Sequence, residues 1–279
     1  MNVNNINHTT INNQWNNAFV RPSRPNWWNR PGGDHWTSWG NGVRNSWYNG
    51  HYGNNYFTNN WWNSHYDNLG GWHYGYQFSR YPSSYWWSAP QWNSLSTWFT
   101  WNNAPQTVWA QPVYYDYGPG GNVTYNNNTV YVGGQPIASA ESYAMSAAEL
   151  ATVAAPATEE EAAEAEWMPL GTFAVSSSEQ DVDPGRVLQL AVSKTGIISG
   201  TLYNSSTDAA QSVLGQVDPQ TQRVAFRVGE NENVVVETGL GNLSQNEAAA
   251  LVHFGATQQE TWLLVRLDDP GDQASTASP

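Results

Sequence analysis

The 279-residue chain is long enough for one or two domains and has no cysteine, which excludes a disulfide framework, a thiolate nucleophile and Cys-ligated zinc. Its net charge of −13 is unevenly held: residues 1–140 carry +2 with no Glu or Lys, and residues 141–279 carry −15. The five arginines of the first half are scattered, which argues against nucleic acid as a partner because phosphate neutralisation needs clustered cations.

The opening, residues 1–20, spaces Val3, Ile6 and Ile11 among asparagines at neither strand nor helix period, and reads as a low-complexity tail. It lacks the basic and apolar regions of a signal peptide. An Asn-rich start of this kind reads as a fragment or processed product, with targeting information expected upstream.

Residues 21–111 form an aromatic-rich region. From Arg21 to Thr107 there are thirteen Trp, eight Tyr and three Phe, but the only aliphatics larger than Ala are Val43, Leu69 and Leu95. Gly, Pro and Asn interrupt every candidate helix before two turns, so irregular or disordered structure with local aromatic clusters is expected. The stretch NNWWNSHYDNLGGWHYGY, residues 59–76, is the densest part. Without aliphatic support its rings are expected to stay partly exposed. The candidate contact surface is therefore Trp61, Trp62, Tyr66, Trp72, Tyr74, Tyr76, Trp86 and Trp87, suited to weak multivalent contact with envelope polysaccharide or with other copies of the chain. His35, His51, His65 and His73, with Asp34 and Asp67 nearby, are the candidate metal ligands. None has the i, i+4 spacing of a helical zinc site, and they read as polar aromatic filler, so no metal or cofactor is expected.

Residues 112–137 alternate strand formers with turn chemistry and predict a small β-meander: Val113–Tyr117, Asn122–Tyr125 and Thr129–Val132. The glycines at 118, 120 and 121 lack the Gly-Lys-Ser/Thr of a phosphate loop and mark a hairpin. Residues 138–166 read as an acidic helical linker. Its first helix is expected to run to Pro156, and a second to start at Thr158 with Glu161 completing a capping box.

Residues 167–269 contain eight short runs rich in Val, Ile, Leu and Phe, separated by turns: LGTFAVS, VLQLAVS, GIISGTLY, SVLGQV, QRVAFRV, NVVVETG, ALVHF and TWLLVRL. They predict a mainly β protein whose C-terminal part is an antiparallel β-barrel or sandwich. In RVAFRV, Val224, Phe226 and Val228 share one face and Arg223, Ala225 and Arg227 the other, so Phe226 belongs to the core and Arg223 to the exposed face. Asp181, Asp183 and Gly185 start a calcium-loop-like pattern that Arg186 breaks, leaving a turn. His253 has no nucleophile beside it and reads as structural; no catalytic residue is assigned. Residues 270–279 read as a disordered tail, and no run approaches the length of a membrane-spanning helix.

The β-rich runs, preceded by PVYYDYGPGGNVTYNNNTVYVGGQPIASAESYA and by the Trp/His/Asn-rich segment, resemble planctomycete proteins called mu-protocadherin or putative cell-surface protein. The resemblance implies an extracellular, cell-surface or periplasmic protein and supplies no catalytic residues. The composition and resemblance together lead to a non-catalytic envelope protein with an adhesive aromatic region. Alternatives are a module binding polysaccharide, a module holding a small ligand in the barrel mouth, and an envelope-polymer hydrolase, for which no paired carboxylates present themselves.

Overall fold

The computed structural model describes residues 33–50, 56–65, 71–101, 104, 106–118 and 120–269; the two predicted tails lie outside the described residues. Eight antiparallel strands close into an up-and-down barrel: β4 (Trp167–Ser176), β5 (Arg186–Ser193), β6 (Ile197–Asn204), β7 (Ala209–Val217), β8 (Arg223–Val228), β9 (Val234–Gly239), β10 (Glu247–Phe254) and β11 (Gln258–Leu267). Each matches one of the eight apolar runs, three of which begin one residue before their strand. Every strand pairs with its neighbours in sequence, and β11 returns to β4 with Leu264 opposite Val175.

Eight strands leave an interior just wide enough for side chains to fill. Phe173, Leu188, Leu190, Ile198, Val213, Val224, Phe226, Val236, Val252 and Leu264 occupy it as one buried cluster. Gly200 and Gly215 sit where a Cβ would meet the next strand's backbone, 2.4 Å from Gln189 O and 2.0 Å from Ala225 O. Arg266 also points inward. Its guanidinium stacks 4.6 Å from the centre of the Phe173 ring and donates to the carbonyls of Leu170, Gln245 and Leu243. Gly171, at φ +110°, leaves the room for it, since a Cβ there would lie 1.9 Å from Arg266 Nη1.

The outer face of the barrel is apolar as well. Ala174, Val187, Ala191, Ala249, Leu251, Leu263, Val265 and Leu267 point outward, yet all are buried in one cluster with the rings of the aromatic region. The described residues before 110 are therefore a coat on the barrel. Its longest element, α1 (Gly33–Gly50), corrects the expectation that no helix survives there. Trp36, Gly40, Val43 and Trp47 recur at helical spacing and form the buried face. Gly40 costs helix propensity but allows close approach, because a Cβ there would lie 2.7 Å from Glu247 Cγ. Arg44 pairs with Glu247, and Trp36 Nε1 donates to buried Asp116 at 2.7 Å.

Short helices α2 (Asn59–His65), α3 (Ser83–Trp87), α4 (Trp92–Ser96) and α5 (Gln106–Trp109), with a 3-10 turn at Tyr74–Arg80, continue the coat. The coat is registered by a buried polar ladder. Thr172, Gln189 and Thr201 lie opposite one another on β4, β5 and β6. Gln189 Nε2 donates to Thr172 Oγ1, Tyr74 OH donates to Gln189 Oε1, and His73 Nε2 meets Thr201 Oγ1 at 3.1 Å.

The small sheet consists of β1 (Val123–Asn126), β2 (Thr129–Val132) and β3 (Gln135–Ser139). Residues 113–117, expected to be its first strand, meet β1 only through an isolated bridge of Tyr117 with Val123, where Val123 N donates to Asp116 O at 2.8 Å, and are otherwise held by side chains. Val113 N donates to Gln222 Oε1, and Tyr115 is bracketed by Asn242, which accepts from its N–H and donates to its carbonyl. The meander's third strand is β3, which the turn at Gly133 and Gly134, both at positive φ, makes possible. Helix α6 (Ala140–Leu150) stops short of Pro156, and α7 (Glu159–Glu164) is capped by Thr158, whose hydroxyl accepts from Glu161 N.

Helix α6 covers β8 and β9, which overturns the reading of Arg223 as exposed. Arg223 is buried, ion-paired to Glu237, and donates to Ser146 Oγ at 2.7 Å. Removing one partner of such a pair leaves a buried, uncompensated charge. Phe226→Ala is expected to destabilise by about 3 to 5 kcal/mol through a void in the lumen, and Arg223→Ala by a comparable amount. Urea unfolding of the two variants checks this; a small effect for Arg223→Ala would mean that α6 does not seal the pair.

Candidate ligand site at the open end of the barrel

The meander places the turns at two ends with different fates. At one end lie the β5–β6, β7–β8 and β9–β10 turns, and a lid of rings seals it. Trp98 Nε1 donates to Val192 O, Trp101 Nε1 to Thr195 O and Trp109 Nε1 to Pro219 O. Phe99 and Trp101 stack at 4.0 Å between ring centres, and Gly196, at φ +88°, would put a Cβ 2.4 Å from the Trp101 ring. Beneath them Leu95, Val108, Trp109, Leu240 and Leu243 are buried against the lumen.

The other end carries the β4–β5, β6–β7, β8–β9 and β10–β11 turns and is lined by Leu202, Val228, Val234, Phe254 and Trp262, all only partly buried on the lumen cluster. Pairing fixes their direction: Trp262 is opposite Ala250 and Leu202 is two residues on from Gly200, both on the inward side. Arg186, at the start of β5, lies 5.1 Å from the centre of the Trp262 ring, two strands away on β11, and is held by Asp181 at 2.8 Å. Asp181 Oδ2 also accepts from Ser177 N and Oγ, so this carboxylate oxygen of the calcium-loop-like sequence is engaged within the protein. Trp262 Nε1 donates to exposed Glu260 at 3.0 Å. The arrangement places five partly exposed apolar side chains beside a few polar groups, the composition of a small-molecule site.

The aromatic residues singled out in the sequence take different places. Trp62, Tyr74, Trp86 and Trp87 are buried, and Trp61 is 9% exposed, stacked 4.1 Å from the His65 ring. Trp72 and Tyr76 are half-buried, with Trp72 Nε1 donating to Ala154 O at 2.7 Å; Tyr66 lies outside the described residues. For Trp61, Trp62, Tyr74, Trp86 and Trp87 the expectation of partly exposed rings is corrected by the barrel's apolar outer wall, which supplies the support that the local sequence lacks. The lining of the mouth escapes a reading of the sequence. Its one signal is apolar residues flanking the turns of one end, Val228 and Val234 around 229–233 and Phe254 before 255–257.

Of the histidines considered as metal ligands, His35 lies 3.8 Å from Glu179, His65 3.2 Å from Asp208, and His73 is buried; His51 lies outside the described residues. Among the described residues no three His, Cys, Asp or Glu side chains are grouped to hold a metal ion, and no helix is long and apolar enough to cross a membrane.

A second cluster lies under α6. Glu237 is fully buried between Arg223 and His253, whose Nε2 is 3.2 Å away, with the Tyr143 ring 4.2 Å from the Arg223 guanidinium carbon. Burial pushes the Glu237 carboxyl up, but Arg223 and His253 outweigh it and hold the group at about 2. These groups lock α6 to the barrel. Comparison with protein-family models, with curated proteins and with solved structures finds no match to the chain.

His73 gives the coat a pH signature. Its Nδ1 accepts from Gly75 N, so its Nε2 carries the proton given to Thr201, and the ring is neutral. Burial lowers its pKa to about 3, from an ordinary value near 6.5. The unfolded chain then binds the proton more readily, so the stabilisation is complete above about pH 6.5 and declines toward pH 3, by at most about 1.4 kcal/mol per unit. Glu237, whose carboxyl is also depressed, adds its own loss only below about pH 4.5. Stability measured by urea between pH 7 and 5 should fall in the wild type and fall less in His73→Gln; identical slopes would contradict the buried, neutral assignment.

Proposed function

We propose that the chain is a non-catalytic module of a secreted, cell-surface or periplasmic protein, and that it binds a small ligand at the open end of its barrel. The observation that carries this reading is the asymmetry of the two ends. One is closed by Trp98, Trp101 and Trp109, each hydrogen-bonded to a barrel carbonyl, while the other leaves five apolar side chains partly exposed around an ion pair. Neighbouring apolar side chains left partly exposed mark a binding surface. The non-catalytic part is supported by the burial of Arg223, Glu237 and His253 beneath α6, away from any substrate. The location is supported by the Asn- and Trp-rich composition and by the resemblance to planctomycete cell-surface proteins.

A second reading, polysaccharide contact, is favoured by Tyr81. Its ring is 42% exposed and stacks on Tyr85 at 4.3 Å between centres, a paired aromatic surface of the kind that contacts sugars. The two readings use different surfaces of the protein and are tested separately.

For the mouth, the neutral fluorescent probe N-phenyl-1-naphthylamine is expected to bind with one-to-one stoichiometry and to be lost in Val234→Arg, while Tyr81→Ala leaves it unchanged. Equal fluorescence from wild type and Val234→Arg would remove the mouth as the site.

A further inference from the structure

The mouth has a charge as well as a shape. We infer, building on the small-ligand reading, that it selects an apolar organic cation: an ammonium group carried on an aromatic or aliphatic body. Three features converge on this. First, the rim is acidic on several strands. Glu230 and Glu232 lie in the β8–β9 turn between Val228 and Val234, and Glu260 stands on β11 two residues before Trp262, all three exposed. Glu179 belongs to the β4–β5 turn, where Asp181 already neutralises Arg186, the cation at the mouth. An apolar floor beneath a rim of one sign focuses the field on the opening and raises the local concentration of the opposite charge.

Second, the floor is aromatic. Phe254 and Trp262 lie 6.3 Å apart with their planes at 59°, two walls of a corner. Aromatic faces attract cations, and organic ammonium groups are the ligands for which such corners are used. Third, the site demonstrates the preference on its own side chain. The guanidinium of Arg186 lies over the Trp262 ring at 5.1 Å, and Glu260 polarises the same indole by accepting its N–H. A carboxylate or phosphate ligand would meet Glu230, Glu232 and Glu260, while the guanidinium over Trp262 is already held by Asp181 and that of Arg227 donates to Ala148 O.

The test pairs two probes with the same ring and opposite charge: (1-naphthylmethyl)trimethylammonium and 1-naphthylmethanesulfonate, titrated calorimetrically into the full chain at low salt. The ammonium is expected to bind about tenfold more tightly than the sulfonate, and the gap should close in Glu230→Gln/Glu232→Gln/Glu260→Gln or on raising the salt to about 0.5 M. These three positions are exposed, so the triple variant keeps the fold. Both probes should be lost in Val234→Arg. Equal binding of the two probes, or preference for the sulfonate, with both still lost in Val234→Arg, would overturn the cation inference and leave the mouth as a ligand site. Absence of binding by either probe and by the neutral one would overturn both.

Discussion

The structure depends on a barrel wall that is apolar on both faces. In most small barrels the inward residues form the core and the outward ones meet water, so each strand alternates. Here β4, β5 and β10 are buried along nearly their whole length. Ala174, Ala191 and Ala249 keep the outer surface low, and Val187, Leu251, Leu263, Val265 and Leu267 make it apolar. Such a wall must be covered, and the described residues of the chain's first half cover it. Rings make an efficient cover. Each buries on the order of 150 to 250 Å2, so a coat one helix thick can be built almost without aliphatic residues.

The polar atoms of the coat explain why it settles in one register. Indole N–H groups of Trp36, Trp39, Trp98, Trp101 and Trp109 each find a fixed acceptor: Asp116, Ser176 Oγ and the carbonyls of Val192, Thr195 and Pro219. The ladder Thr172–Gln189–Thr201 gives Tyr74 and His73 matching partners on the wall. A buried donor displaced by one residue would lose its acceptor and bear the full desolvation cost, so these bonds select an alignment that ring packing alone would leave open. The same device fixes the strap at 113–117, where Gln222 and Asn242 side chains stand in for a neighbouring strand. Among the described residues the coat continues over one end of the barrel as the lid and does not extend over the other, which is why the proposed binding surface lies where it does.

The barrel is legible from sequence because its information is local. Turns such as Asp218–Gln222 and runs such as Val224–Phe226–Val228 carry the strand period and the breaks between strands in adjacent residues. Arg223 misleads for the complementary reason. A charged residue alternating with apolar ones reads as solvent-facing, and what covers it, Tyr143 and Ser146 of α6, arrives from about eighty positions earlier. The coat is illegible on the same grounds: Gly40 and the rings around it look unable to support a helix until the wall they lie against is known. At the mouth, Leu202, Val234 and Trp262 become neighbours only through barrel closure, and no spacing in the sequence announces it.

Whether the aromatic half is an integral coat on the barrel is tested most directly by hydrogen exchange at the tryptophan indoles. The indole N–H groups of Trp36, Trp86 and Trp109 are expected to exchange as slowly as the backbone amides of β6, opening only with global unfolding. Exchange of those indoles at the rate of free tryptophan, while the β6 amides remain protected, would contradict it and return the aromatic half to an independent, exposed tract.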